Sequence, residues 1–376
     1  MTFLGPASPS KILAATVDPP AGSSDPTVWA EAVAEAGDRV SHLVALDGPE
    51  WALEDDQAAE RWAEAMIAAT RVNSLTAVVN LNVAEPPSRI PVALQPEQKN
   101  RMRVIDGLLP ALLDSPRTKV RLDWHLTKAD FFSERRDRLR RIAARVVAGD
   151  PIAFIIDHRH RPAALAEGLD RRNSAILAAI GVGLPRLLEI VGPEAVDLPD
   201  RVGALARLAI AAGRAFRVNL QQYGSPAVGR EFLLERSRLL VVPTGLDEVV
   251  QFLADTSGVD DDTFILAQKI LLSLNAALDQ EGLRLSSVID GPPAGLVPAE
   301  LSALADGASP SVQLKATSRL HAALGGGTSA ITLPPEIASD PDAIVSLLEF
   351  ACRQPGIGRF VLRPAKRRYR QQTAGW

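Results

Sequence analysis

The sequence predicts an α/β protein in which strand and helix alternate about ten times, closed into a barrel of about ten strands with helices around it. Two observations predict this. Short apolar, β-branched runs recur along the chain, each ending in a polar or Pro/Gly turn. Between them lie Ala-, Leu- and Arg-rich stretches with apolar residues at i, i+3, i+4 and i+7, the spacing of amphipathic helices. Regular alternation implies a mainly parallel sheet, because parallel neighbours need a crossover connection, and so many units suggest closure.

In chain order the candidate strands are ILAATV, HLVAL, LTAVVNLNV, KVRLDWHL, IAFIID, IGVGL, FRVNL, LLVVP, LSSVID, SAITL and RFVL. The clearest helices are DPTVWAEAVAEAG, DDQAAERWAEAMIAAT, SERRDRLRRIAARVVAG and DDDTFILAQKILLSLNAALDQEG. Asp25-Pro26 and Asp340-Pro341 each pair an N-cap with a proline at the first helical position, and Gly37, Gly149 and Gly282 read as C-terminal stops. Residues 84–100, rich in proline, read as a long loop. No repeat or low-complexity linker divides the chain, so residues 1–364 read as a single barrel domain and 365–376 as a basic tail.

Hydrophobic residues make up 47% of the 376 and mean hydropathy is +0.06, enough to build one large core and too much for a disordered chain. A net charge of −4 gives no global attraction to nucleic acid or anionic lipid, so neither partner is expected. The single cysteine, Cys352, excludes an internal disulfide and any Cys-rich metal centre, and its helical apolar neighbours point to packing. The N-terminus lacks a signal-peptide pattern and no run of apolar residues is long enough to cross a bilayer, so the expected location is the cytoplasm.

In parallel α/β folds ligands bind at the carboxyl ends of strands, so the residues after each apolar run carry the functional reading. These are Asp18, Asp47, Asn80, Asn82, Asp123, His125, Asp157, His158, His160, Asn219, Asp247, Glu248, Asp290 and Arg363. Converging aspartates repel one another, which raises a carboxyl pKa into a range useful for proton transfer; the plainer alternative is that each caps a turn. Asp123 and Asp157 are the least turn-like, and with His125 and His158 they form the candidate acid–base set. His125, His158 and His160 supply an alternative, a zinc or iron site; against it, DHRHRP also reads as a basic surface turn. Thr244 and Gly245, with Gly325, Gly326, Gly327 and Thr328, are candidate anion-binding turns, although a P-loop lysine is absent. The Arg-rich stretch 133–147 reads as a solvated face.

Five segments in order, IGVGLPRLLEIVG, VVPTGLDEVVQFL, ILAQKILLSLNAAL, RLHAALGGGTSAITLPPE and DPDAIVSLLEFACRQPGIGRFVLRP, resemble the barrel of anaerobic ribonucleotide reductases and related glycyl radical enzymes. The resemblance covers roughly residues 170–364 and implies a ten-stranded α/β barrel. It would also imply a loop cysteine, a four-cysteine zinc module and a glycyl radical in an Arg-x-x-Gly-Tyr context. The sequence departs from that pattern: Cys352 sits on a helix, and Gly375 follows Arg370 by five residues.

The function expected is therefore that of a divergent, non-radical relative that binds a small molecule, phosphorylated or nucleotide-like, with carboxylate and histidine chemistry. A metal-dependent hydrolase or lyase is the first alternative, and a non-catalytic scaffold or partner of an active relative is the second. The sequence specifies no cofactor. A small-molecule ligand is the expected partner, with a homodimer as a further candidate.

Overall fold

The computed structural model describes residues 2–3, 10–17, 25–83, 98–113, 120–150, 152–156, 164–166, 169–170, 175–191, 198–224, 237–246, 261–280, 308–324 and 328–364, with isolated positions between 226 and 252. The strands are β1 (Thr2–Phe3), β2 (Ile12–Val17), β3 (Val40–Asp47), β4 (Thr76–Leu81), β5 (Val120–Leu126), β6 (Ile152–Ile156), β7 (Ala164–Ala166), β8 (Leu169–Asp170), β9 (Ala175–Gly183), β10 (Arg238–Thr244), β11 (Thr328–Leu333) and β12 (Arg359–Pro364). The helices are α1 (Pro26–Gly37), α2 (Asp56–Val72), α3 (Gln98–Leu113), α4 (Ser133–Val147), α5 (Pro185–Val191), α6 (Leu198–Tyr223), α7 (Asp261–Gln280), α8 (Pro310–Leu324), α9 (Pro335–Ala338) and α10 (Pro341–Cys352).

Strands β2 to β6 lie side by side in chain order and all parallel, which is what successive right-handed crossovers build. Two seams interrupt the parallel pattern. β9 pairs antiparallel with β2, and β12 pairs antiparallel with β6. β10 then extends β9, and β11 extends β12, in parallel register. The sheet thus has one parallel unit, β2–β6, and on its two flanks a second set, β9–β10 and β11–β12, running the opposite way, with the short β1 antiparallel on β9. Nine strands form one hydrogen-bonded path and β10 joins it at β9; closure of the sheet into a barrel is not seen among the described residues. The candidate strand LSSVID lies outside them.

FRVNL, expected to be a strand, is instead part of the 26-residue helix α6, which moves Asn219 from a strand end to a helix. Five residues are too few for periodicity to separate a strand from a helical segment, and the Ala-rich stretch before it carries the helix through. The predicted caps have the expected geometry. Asp25 accepts the Thr27 N–H at 2.8 Å and Asp340 accepts the Asp342 N–H at 2.9 Å, each ahead of a proline. Gly149 has a φ of 91°, a left-handed conformation that leaves glycine as the easy choice after α4.

Helices cover one face of the sheet. Val44, Leu46, Ala77, Val79, Leu81, Leu122, Trp124 and Phe154 point into a core shared with Trp29 of α1 and Trp62 of α2, whose rings meet edge to face at 5.5 Å. A second cluster packs β9 and β10 against α6 and α7. On the opposite, inner face a third cluster gathers Leu13, Ala14, Leu43, Ala45, Val78, Ile176, Ala179, Leu240 and Val242 from five strands. Strands from both units therefore share one inner apolar plug.

The C-terminal strands are pinned by helix α8. His321 accepts the Gly358 N–H on Nδ1 at 3.3 Å, which leaves Nε2 to donate to Ser329 Oγ at 2.9 Å. Gln313 bonds both main-chain groups of Thr332, taking the Thr332 N–H at 2.8 Å and giving its own amide N–H to the carbonyl at 3.2 Å. A side chain thus occupies the place of a neighbouring strand on β11. Gly356 lies so close to α8 that a Cβ there would stand 2.0 Å from the Ser318 carbonyl oxygen. Gly356→Ala is expected to destabilise the fold by at least about 1–3 kcal/mol, read as a lowered denaturant midpoint at unchanged m-value.

Candidate functional site

Side chains alternate along a strand, so the residues of β3, β4 and β5 that do not meet the helices share the inner face. Beyond the apolar plug, toward the carboxyl ends, that face turns polar. Asp47 of β3 registers with Asn80 of β4, and Asn80 with Asp123 of β5. His125 follows two residues on, and all four side chains are buried. The candidate strand KVRLDWHL already held Asp123 and His125 toward its end, and β5, Val120–Leu126, contains both.

Asp123 is clamped by a residue distant in sequence. Arg359 of β12 reaches across β6 and meets both carboxylate oxygens, Nε to Oδ2 at 2.9 Å and Nη2 to Oδ1 at 3.0 Å, with both side chains at most 2% exposed. Ala153 of β6 registers with both Asp123 and Val361, and its methyl leaves room for the crossing. Such a fork-to-carboxylate pair is rigid and charge-balanced, so Asp123 orients and holds charge within the face.

His125 is held from two sides. Its Nε2 lies 3.2 Å from Asn80 Oδ1, while its main-chain carbonyl accepts Asn82 Nδ2 at 2.7 Å. Asn82 adopts a φ of 62°, which asparagine tolerates, and its amide also reaches Asp130. Asp130 accepts the main-chain N–H and the hydroxyl of Thr127 and so fixes the turn after β5; burial raises its pKa, against the lowering effect of those bonds. The Asn80 Nδ2 atom, fully buried, has no acceptor among the described residues. Thr16 Oγ1 on β2 is likewise buried without a partner.

At the same end of these strands sits a carboxyl that the sequence reading missed. Gly48, left-handed at φ 59°, turns the chain into the 3-10 turn Pro49–Trp51, and Glu50 points inward with no exposure. Burial pushes its pKa up to about 7, partly opposed by Arg101 and by the Val83 N–H, and reinforced by Asp47. The signal for it was a charged residue between Pro49 and the core residues Trp51 and Leu53, read only as a turn. Arg359 escapes sequence reasoning for the matching reason: RFVL reads as a strand, and the strand-end rule points to Arg363 after it, which is exposed.

The remaining candidates do not gather here. Asp18, Asp157, His158, His160, Asp247, Asp290, Gly325, Gly326 and Gly327 lie outside the described residues. Thr244 Oγ1 donates to the Val182 carbonyl at 3.3 Å, and Gly245, at φ 71°, packs where a Cβ would come 2.4 Å from Pro185 Cγ. That glycine is required by the close passage of two strand-to-helix turns. Because β10 and β11 run in the same direction, Thr244 at the end of one and Thr328 at the start of the other lie at opposite ends of the sheet. No group of three or more metal-ligating side chains occurs among the described residues, and of the histidine trio His125 alone is described.

Cys352, on α10, is half-buried, and burial pushes its thiol pKa up to about 12, with Asp130 and Glu349 adding to the effect. A thiol held neutral is a poor nucleophile. Ellman's reagent at pH 8 is expected to label it at well below the rate of a free model thiol until denaturant is added; labelling at the free-thiol rate would contradict this environment.

No protein-family model matches the chain, and no curated protein matches it. Solved structures do. The anaerobic ribonucleotide reductase from Thermotoga maritima in complex with dATP and CTP aligns with a TM-score of 0.67 and 11% identity, over 94% of this chain and 74% of that one. The same enzyme with citrate in the active site aligns with a TM-score of 0.64 and 12% identity, over 91% and 74% of the two chains. A further anaerobic ribonucleotide reductase structure aligns with a TM-score of 0.67 and 11% identity, over 95% and 71%. At such identity the likeness is one of fold. No helix among the described residues is long and apolar enough to cross a membrane.

Proposed function

We propose that the chain is a divergent relative of the anaerobic ribonucleotide reductase barrel that binds a small polar molecule at the inner polar face of β3, β4 and β5 and does no radical chemistry. The observation that carries this reading is the row Asp47, Asn80, Asp123 and His125, buried on a face whose other end is apolar and containing an amide N–H with no protein acceptor. A barrel that served as scaffold alone would gain by filling these positions with apolar residues, since an unpaired buried donor costs about 1–3 kcal/mol. The position of the lone cysteine, Cys352, on helix α10 and not in a loop supports the non-radical part. In this proposal His125 moves protons, the Asp123–Arg359 pair orients the site, and Asp157 and His158 complete it.

The same reading takes residues 1–364 as one closed ten-stranded barrel in the cytoplasm, followed by a basic tail. Its support is that, leaving aside the two-residue β1, nine strands of the sheet are described and the outermost two, β10 and β11, run in the same direction, so that one further parallel strand, pairing with β11 ahead of Thr332, would join them as the tenth. LSSVID is the sequence's candidate for it.

The test is a thermal-shift and native mass spectrometry screen of the whole chain with CTP, dATP, citrate and zinc. Stabilisation by a nucleotide or citrate, lost in Asn80→Ala and His125→Ala while both variants stay folded, is the expected result. A shift with zinc alone would move the reading to a metal-dependent enzyme, and no shift with any of the four would remove it.

A further inference from the structure

Two more of the buried polar atoms without partners belong to a single cluster just past the ends of β3 and β4. Glu50 is fully buried; its Oε1 accepts the Val83 N–H at 3.0 Å and its Oε2 has no hydrogen-bond partner among the described residues. Arg101 of α3, 7% exposed, lies over the Trp51 ring 3.4 Å from its centroid and donates Nη2 to the Val83 carbonyl at 2.8 Å, while its Nε–H has no acceptor among the described residues. The two side chains approach to 3.8 Å, beyond a hydrogen bond, so the pair does not satisfy itself. Trp51 is fixed in turn by its own N–H to the Val83 carbonyl at 3.1 Å. The guanidinium is therefore held against the indole face, and in this one cluster its Nε–H and Glu50 Oε2 both lack a hydrogen-bond partner among the described residues.

We propose that Glu50 and Arg101 form a binding point for the oxyanion of a small molecule, a carboxylate or a phosphate, held by the Oε2–H of protonated Glu50 and the Nε–H of Arg101. This rests on the small-molecule reading above and puts anion recognition at the carboxyl end of β3 and β4 instead of the Thr244 turn. With a pKa near 7, Glu50 carries its proton through mildly acidic pH and so presents a donor where an ionised glutamate would repel the anion. The charged groups around it are Asp47 from β3 and Arg101 from α3, with Arg135 from α4 acting on Arg101. Counted with a neutral Glu50, the two arginines against Asp47 leave one excess positive charge; ionisation of Glu50 cancels it. Binding accordingly takes up a proton, and affinity falls as pH rises through about 7.

Titration calorimetry of the full chain with citrate and with inorganic phosphate, at pH 6 and pH 8 in buffers of different ionisation enthalpy, tests this. At least one probe should bind about tenfold or more weaker at pH 8, with proton uptake in the heats. Which of the two binds separates carboxylate from phosphate recognition. Glu50→Gln keeps a donor at that position, so binding should persist with the proton uptake gone. Arg101→Lys and Arg101→Met should each weaken binding at both pH values, with circular dichroism reporting that the fold is kept. Failure of both probes to bind, or an unchanged pH profile in Glu50→Gln, overturns the proposal. CTP binding insensitive to Glu50 and Arg101 variants would overturn it too, while leaving the small-molecule reading in place.

Discussion

Arg359→Ala is expected to lower the unfolding free energy by about 3–5 kcal/mol. Removing the guanidinium leaves the Asp123 carboxylate, which has no exposure, without the group that meets both of its oxygens. The cost is mainly that of an uncompensated buried charge, which exceeds what the intact pair contributes. Two consequences distinguish this from general damage to β12. Asp123→Asn in the Arg359→Ala background should recover much of the loss. Replacement of both residues, Asp123→Leu with Arg359→Met, should be closer to wild type than either Arg359→Ala or Asp123→Ala. Urea titrations of the four variants measure this coupling, and additive losses would show that the pair is not an energetic unit.

The second large effect is a pH dependence of stability carried by Glu50. Its folded pKa of about 7 lies above the ordinary 4.5, so between these values the folded chain holds a proton that the unfolded chain has released. Stability from this group is therefore fully present below about pH 4.5 and falls as pH rises toward 7. The fall amounts to about 3 kcal/mol at 1.36 kcal/mol per pKa unit. Asp130, also raised by burial, adds in the same direction. Chemical denaturation from pH 5 to pH 8 should show wild type losing stability across this window, and Glu50→Gln losing distinctly less. Equal slopes in the two proteins would mean that Glu50 ionises in the fold as it does in water.

The alternation of apolar runs with amphipathic stretches was legible because each element is long enough to show its period, as in β3, β5, α2 and α4. The segments resembling the anaerobic reductases also fall within a chain that aligns with those enzymes along 94% of its length. FRVNL was misread because five residues cannot display a period, and strand direction was invisible: no local feature of RFVL marks β12 as antiparallel to β6. That direction decides the site. It brings Arg359 to Asp123, residues 236 apart, and it separates Thr244 from Thr328. Candidates were sought at strand ends, whereas the inner face holds its polar residues inside the strands, at Asn80, Asp123 and His125. Parity along β5 would have grouped Asp123 with His125 and opposed both to Trp124, yet which face looked inward depended on helices packed from the other side. Glu50 was hidden by its turn, since Gly-Pro-Glu is ordinary in a loop and becomes unusual only once burial is known.

The seam between β6 and β12 also sets an order of events in time. Ile155 pairs with Arg359, so the outer edge of the first parallel unit waits for a strand made about two hundred residues later. At the usual 5–20 residues per second of synthesis, that interval is on the order of ten to forty seconds. Throughout it the edge of IAFII exposes unpaired main-chain groups on an apolar strand, and Asp123 has not met its arginine. A nascent chain in this condition is a natural client for a chaperone, and slow pairing over so long a loop makes the last strand to arrive the one that commits the sheet to its native order.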